Sequence, residues 1–170
     1  MRVPVLRSAL LAAAMSLLIG SAALAAPGER LEYDLQFSGV QDCGTFVDNW
    51  TTFYHIVETD ELDADGNLLR AFKHVEHHEI DVNSVTGFTI YLHGTFRAVD
   101  DYVAGTFTAT GNRELATVKG TGVVIQDTGK EVTSMQTGEL LFFAGGRMHS
   151  RDVQGDQIFC DALADPGTLL

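Results

Sequence analysis

After its N-terminus the chain has no long apolar run, so it offers no transmembrane helix: a span takes about 20 strongly apolar residues, and every later stretch is shorter. Basic residues are also scarce. The 170 residues hold 11 Lys and Arg against 23 Asp and Glu, a formal charge of −12. A field of that sign repels phosphate backbones and anionic lipid, which argues against nucleic-acid binding and electrostatic membrane docking. Its plain meaning is solubility. Only two cysteines occur, Cys43 and Cys160, and neither has a His or a third Cys at zinc-finger spacing. Beyond residue 26 the serines are Ser38, Ser84, Ser134 and Ser150, none of them in a G-x-S-x-G elbow. Gly120-Thr121-Gly122 lacks the Lys and the following helix of a phosphate loop and reads as bent strand.

What the N-terminus does have is an export signal. Arg2 and Arg7 form a short basic region, Ala9 to Ile19 an apolar one, and Ala23-Leu24-Ala25 a cleavage site before Ala26. The expected division is residues 1–25 as signal peptide and 26–170 as one domain of ordinary size. Removing the two signal arginines leaves nine basic residues against 23 acidic ones, a charge of −14. No Cys follows the cleavage site, and Pro166 to Leu170 carries no hydrophobic anchor, so a free, secreted protein is expected. The signal looks bacterial, which makes the acceptor sequence Asn49-Trp50-Thr51 a chance match for glycosylation. In an exported chain an even pair of cysteines reads as a disulfide. Cys43–Cys160 would close a loop of about 117 residues, to which the chain-entropy model assigns about 4.7 kcal/mol. Two buried thiols are the alternative.

Period-two patterns dominate the rest. Leu31, Tyr33, Leu35 and Phe37 alternate with Glu32, Asp34 and Gln36. Strands follow over 51–59, 68–82, 88–96, 102–110, 116–126, 131–135 and 139–144. They are punctuated by Asp65-Gly66-Asn67, Gly111-Asn112, Thr128-Gly129, Gly145-Gly146 and Gly155-Asp156. No helical period persists, apart from one turn at Ala162-Leu163-Ala164. A hairpin with Asp100-Asp101 as its loop would set Phe96 opposite Gly105 and Gly94 opposite Phe107, each ring covering a glycine. Glycines within strands point to bending. The expected fold is all-β: one antiparallel barrel of about eight or nine strands, closed or nearly closed, with a sandwich as runner-up.

Three elements in order carry a resemblance: Gln41-Asp42-Cys43-Gly44, Thr128-Gly129-Lys130 and Cys160-Asp161-Ala162-Leu163. Together they resemble a group of small exported actinomycete proteins with no assigned function. The usual Asn-Thr-rich turn in mid-chain is matched in part by Val82 to Gly87. The resemblance implies a disulfide-linked β-barrel and no known activity. In shape such barrels are similar to dirigent proteins and allene oxide cyclases, which carries little functional weight.

Chemistry concentrates in Lys73-His74-Val75-Glu76-His77-His78-Glu79. On a strand, His74, Glu76 and His78 share one face, and His77 and Glu79 the other. Two imidazoles flanking a carboxylate suit zinc with an open position for water. His93 joins that face if the next turn centres between Ser84 and Val85; a one-residue slip puts it on the other face. The plain alternative is a hydrated polar strand face, and a proton-sensitive patch is a third reading. Glu61, Asp63, Asp65 and Gly66 imitate a calcium loop, but Phe72 stands where the bidentate Glu is needed, so a solvated hairpin is expected. Trp50 reads as packing. Phe53, Tyr54, Phe72, Phe88, Phe96, Phe107, Phe142 and Phe143 would line a cavity if the barrel has one.

The leading expectation is therefore a secreted, non-enzymatic protein that binds a small apolar molecule or a protein partner. It has no cofactor, no resident metal and no membrane insertion. The alternatives are an enzyme using the barrel interior (a cyclase, an isomerase or a zinc-assisted hydrolase) and an envelope-associated structural protein.

Overall fold

The computed structural model of the protein describes residues 27–118, 122–146 and 153–164. The expected signal peptide, Gly120 and the C-terminal Pro166 to Leu170 lie outside them. Seven strands follow one another: β1 (Pro27–Asp42), β2 (Val47–Leu62), β3 (Leu68–Asn83), β4 (Thr89–Asp101), β5 (Thr106–Val118), β6 (Gly122–Ser134) and β7 (Leu140–Ala144). A helix, α1 (Val153–Ala164), comes last. All the strands belong to one antiparallel up-and-down sheet in the order β1-β2-β3-β4-β5-β6-β7. Among the described residues the fold is thus all-β with one helix. The two-sheet sandwich is not formed, and β1 and β7 make no ladder with each other, so the described strands do not close a barrel.

The strands are fewer and longer than expected because Gly111-Asn112 and Thr128-Gly129 lie in mid-strand rather than at turns. Gly111 pairs with Gly129, and Asn112 with Thr128, across β5 and β6. Gly129 has φ 130°, and a Cβ there would lie 2.3 Å from the Gly145 carbonyl oxygen. These glycines let the sheet bend without ending the strand. The expected Asp100-Asp101 hairpin is also displaced: its turn is Tyr102 to Gly105, so Asp100 pairs with Phe107 and Phe96 with Gly111. Phe96 still covers a glycine, a different one. Likewise the Trp50 ring lies on Gly39, its cross-strand partner.

Gly155-Asp156, read as a strand break, is part of α1. Phe159, Cys160, Ala162 and Leu163 form the helix's buried stripe at i, i+3 and i+4 spacing. They pack on Phe46, Ile90, Leu92, Ala116, Val118, Val124 and Ile125, the main apolar core. Full burial of a side chain such as Ile90 or Leu163 contributes about 1.5–3 kcal/mol. Cys43, in the β1–β2 turn, is joined to Cys160 of α1 by a disulfide, with Cα atoms 5.5 Å apart. Asn83 fixes the helix from the other side. Its side-chain amide donates to the Leu163 carbonyl at 3.2 Å, while its Oδ1 accepts from the Val85 and Thr86 amides. The helix therefore covers one end of one sheet face.

That face is the inner one. Residues deep in it are almost without exposure, which one helix on a flat sheet could not achieve; the sheet curls over its own side chains.

Candidate functional site

Cross-strand register arranges the inner face in transverse rows. Nearest α1 is Gln41–Asp48–Asn83, then Gly39–Trp50–Asp81–Ile90, then Phe37–Thr52–Glu79–Leu92–Ala116. The next row is Leu35–Tyr54–His77–Gly94, and beyond it lies the apolar row Tyr33–Ile56–Val75–Phe96–Gly111. Past that is a second polar row, Leu31–Glu58–Lys73–Ala98–Ala109–Glu131. The core of a small β protein is usually apolar. Here its middle is crowded with ionisable groups.

His77 is the centre of the first polar group, with 1% of its surface exposed. Its ring stacks on Tyr54, centroids 4.9 Å apart, and Tyr54 meets Phe37 edge-on at 6.1 Å. The Nδ1–H donates to the backbone carbonyl of Arg113 at 3.2 Å. That contact crosses β4, and Gly94 makes it possible. The register slips beside Gly94 and around Arg113, and a Cβ on Gly94 would lie 1.9 Å from the Arg113 oxygen. The bulge thus lays a carbonyl over a residue with no side chain, within reach of the imidazole. Nε2 has no hydrogen-bond partner; the nearest carboxylate oxygen is Glu79 Oε2, at 3.8 Å. Glu79 also accepts a hydrogen bond from the Thr52 hydroxyl.

Burial works against a charged imidazole, but Glu79, the Arg113 carbonyl and Glu114 outweigh it and raise the His77 pKa. Burial likewise opposes the Glu79 carboxylate, but His77 and Thr52 prevail and hold its pKa below the ordinary value. Asp81 goes the other way. Burial, with Glu79 and Asp48 beside it, pushes its pKa up to about 9, so it carries a proton at neutral pH. Asp48 is raised too, chiefly by burial. Glu114 is raised by burial and by Asp127 across the ladder. Neighbouring carboxyls with pKa values driven apart are the arrangement that supplies an acid and a base in one site.

The second polar group is a structural network. Lys73 bonds to Asp100 and lies 3.7 Å from Glu58, which accepts from the Tyr33 hydroxyl at 2.6 Å. Burial first, and Glu58 second, lift the Tyr33 pKa to about 12. Arg113 is paired with Glu131 on the β5–β6 side. The void there, lined by Gly111, Arg113, Asp127, Gly129 and Phe143 among others, is about 10 Å³, room for roughly one water.

The histidines singled out from the sequence are split between the faces. His74, Glu76 and His78 lie exposed on the outer face. His74 and His78 are four residues apart on one strand, about 13–14 Å, too far to share an ion. The turn centres between Val85 and Thr86, which brings His93 opposite His78 and keeps it on that face. Among the described residues no group of three or more His, Cys, Asp or Glu is placed to hold a metal. In the calcium-like loop Asp63 is occupied by its own turn, accepting from the Asp65 and Asn67 amides. Of the rings expected inside, Tyr54, Phe88, Phe96, Phe107 and Phe143 share the inner face or its rim, while Phe53, Phe72 and Phe142 lie on the outer one. Asp48, Asp81, Glu114 and Arg113 were not foreseen. Their signal was faint: His77, Glu79 and Asp81 run in phase with the apolar Ala71 and Val75.

Among the described residues no helix is long and apolar enough to cross a membrane. Set against family models, curated proteins and solved structures, the chain matches none, so its function is argued from this site alone.

Proposed function

We propose that the protein is exported and that its inner sheet face binds a small, mainly apolar molecule bearing a carbonyl or similar oxygen, on which Glu79 and His77 move a proton. The reaction class is isomerisation or cyclisation, with no redox change. The observation that carries this reading is the row Leu35–Tyr54–His77. It runs from an apolar shelf to a buried imidazole whose Nδ1 is fixed and whose Nε2 is unbonded.

The shelf is open. Leu31, Leu35 and Phe37 point to the inner side of β1, yet they are 40%, 40% and 51% exposed. They give the apolar body of a ligand a seat, and Tyr54 connects that seat to His77. Held by the Arg113 carbonyl, a protonated His77 presents Nε2–H as a donor to the ligand oxygen. Glu79, with 22% of its side chain exposed, is the ionised acceptor. It takes a proton from the carbon next to the carbonyl and returns it to another carbon, so atoms and charge balance. Asp81 stays neutral and donates to Asp48, which leaves Glu79 as the ionised carboxylate of the row. Positioned proton transfer of this kind contributes about 10²–10⁴-fold.

A panel of cyclic ketones in D₂O tests the reading. Wild type should exchange the α-hydrogens of at least one ketone above the buffer rate, read by mass spectrometry. Glu79→Gln should lose about 10²-fold or more, within the span of one acid–base group. No exchange by wild type, or equal exchange by both proteins, would overturn the chemistry. The binding-only reading has its own support in the exposed β1 shelf. Under it, the ketones raise the thermal midpoint without exchange, and Phe37→Ala lowers that effect.

A further inference from the structure

Acids outnumber bases two to one in this chain, so its cations should be taken up by carboxylates. Several are. Arg70 pairs with Glu61 and Asp101, Lys73 with Glu58 and Asp100, and Arg113 with Glu131. Arg30, Arg97 and Lys130 form no ion pair among the described residues, and the two arginines line the same open groove of about 380 Å³ on the outer face. Its other walls include Val57, Thr59, Phe72, His74 and Val99. Phe72 is 45% exposed, a large ring left in water at the groove floor.

Register fixes the layout. Thr59, Phe72 and Val99 form one row across β2, β3 and β4, and Arg30 pairs with Thr59 at its β1 end. Val57, His74 and Arg97 form the adjoining row. The two arginines therefore flank an apolar floor, three strand spacings across and one row along, roughly 16 Å apart at the backbone. The nearest acids on this face are Glu32, Glu61 and Glu76, and Glu61 is held by Arg70 at 3.1 Å. Glu32 is engaged by His55 at 3.7 Å, and Glu76 also acts on His55, which Asp34 binds at 2.8 Å.

We propose that this groove is a second ligand site, distinct from the inner face, for a monoanionic organic carboxylate with an apolar body. Arginine recognises a carboxylate by paired hydrogen bonds, and Phe72 with Val57 and Val99 covers the hydrocarbon. The strongly negative field of the molecule selects a single charge over a phosphate dianion. The site does not depend on the proton-transfer reading.

Octanoate is the probe, titrated into the purified mature protein at low salt and followed by amide NMR shifts. Saturable shifts should fall on residues 57–59, 72–74 and 97–99. Arg30→Gln and Arg97→Gln should each weaken binding about threefold to fivefold, the span of a partly exposed ion pair. Lys130→Gln and His77→Gln should not change it. Octan-1-ol and inorganic phosphate should each bind several-fold more weakly. The proposal is overturned by any of four results: no saturable shift, equal binding of octan-1-ol or phosphate, insensitivity to both arginine variants, or shifts centred on Leu35, Tyr54 and His77.

Discussion

An aspartate enclosed beside a second aspartate, with a glutamate two residues away on the same strand face, holds its proton more tightly in the folded chain than in the unfolded one. Asp81 is 1% exposed and Asp48 equally so. Unfolded, Asp81 titrates near 3.8; folded, near 9. Below the lower value both states are protonated and the group exerts no pH dependence. Between the two values the folded protein holds a proton that the unfolded chain has lost. Stability therefore falls as pH rises, by up to about 1.4 kcal/mol per pH unit from this group. His77, with its raised pKa, acts in the same direction: its contribution is full below the ordinary imidazole range and fades as pH climbs through the folded value. Asp81→Asn keeps a neutral side chain of the same shape and removes the titration. Urea midpoints between pH 5 and pH 9 should then decline less steeply than for wild type. Parallel curves for the two proteins would mean that Asp81 is ionised in the folded state.

At the level of the element, the β5 bulge depends on what β4 leaves out. Gly94 is not in a turn and its backbone needs no special conformation; it is required because the Arg113 carbonyl occupies the space of its missing side chain. Gly94→Ala should cost about 1–3 kcal/mol, as overpacking does. It should also free His77 Nδ1, seen as a change in the imidazole nitrogen shifts. A variant as stable as wild type with an unchanged His77 ring would show that the bulge sits elsewhere. The sequence made some of this architecture legible. Alternation in Leu31 to Phe37 marks β1 correctly, and Asp65-Gly66-Asn67 falls in the β2–β3 turn. Other features were hidden for physical reasons. A glycine that ends a strand and one that kinks it look alike in one dimension, so Gly111 and Gly129 read as breaks. In β3 both faces carry His and Glu, so alternation shows that the faces differ without showing which is inward. Only packing against Ile56, Phe96 and the bulge decides that His77 is inside and His78 outside. The helix was hidden because Gly155 interrupts it and its stripe of Phe159, Ala162 and Leu163 is short.

Across the whole molecule, the disulfide joins the first hairpin turn to the last element, and α1 closes the end of the inner face that lies over Asp48 and Asp81. The unreduced protein should show no free thiol even when denatured; two reactive thiols would contradict the bridge. Reduction should lower stability by up to about 4.7 kcal/mol, the chain-entropy value for a loop of this size, read as a shift in urea midpoint. A bond spanning 117 positions has a further effect wherever proteases reach the chain. Every hairpin loop from β2–β3 to β6–β7 lies between the two cysteines. A protease that nicks any one of them makes two polypeptides but still one covalent molecule, and the damage would be visible on a gel only after reduction.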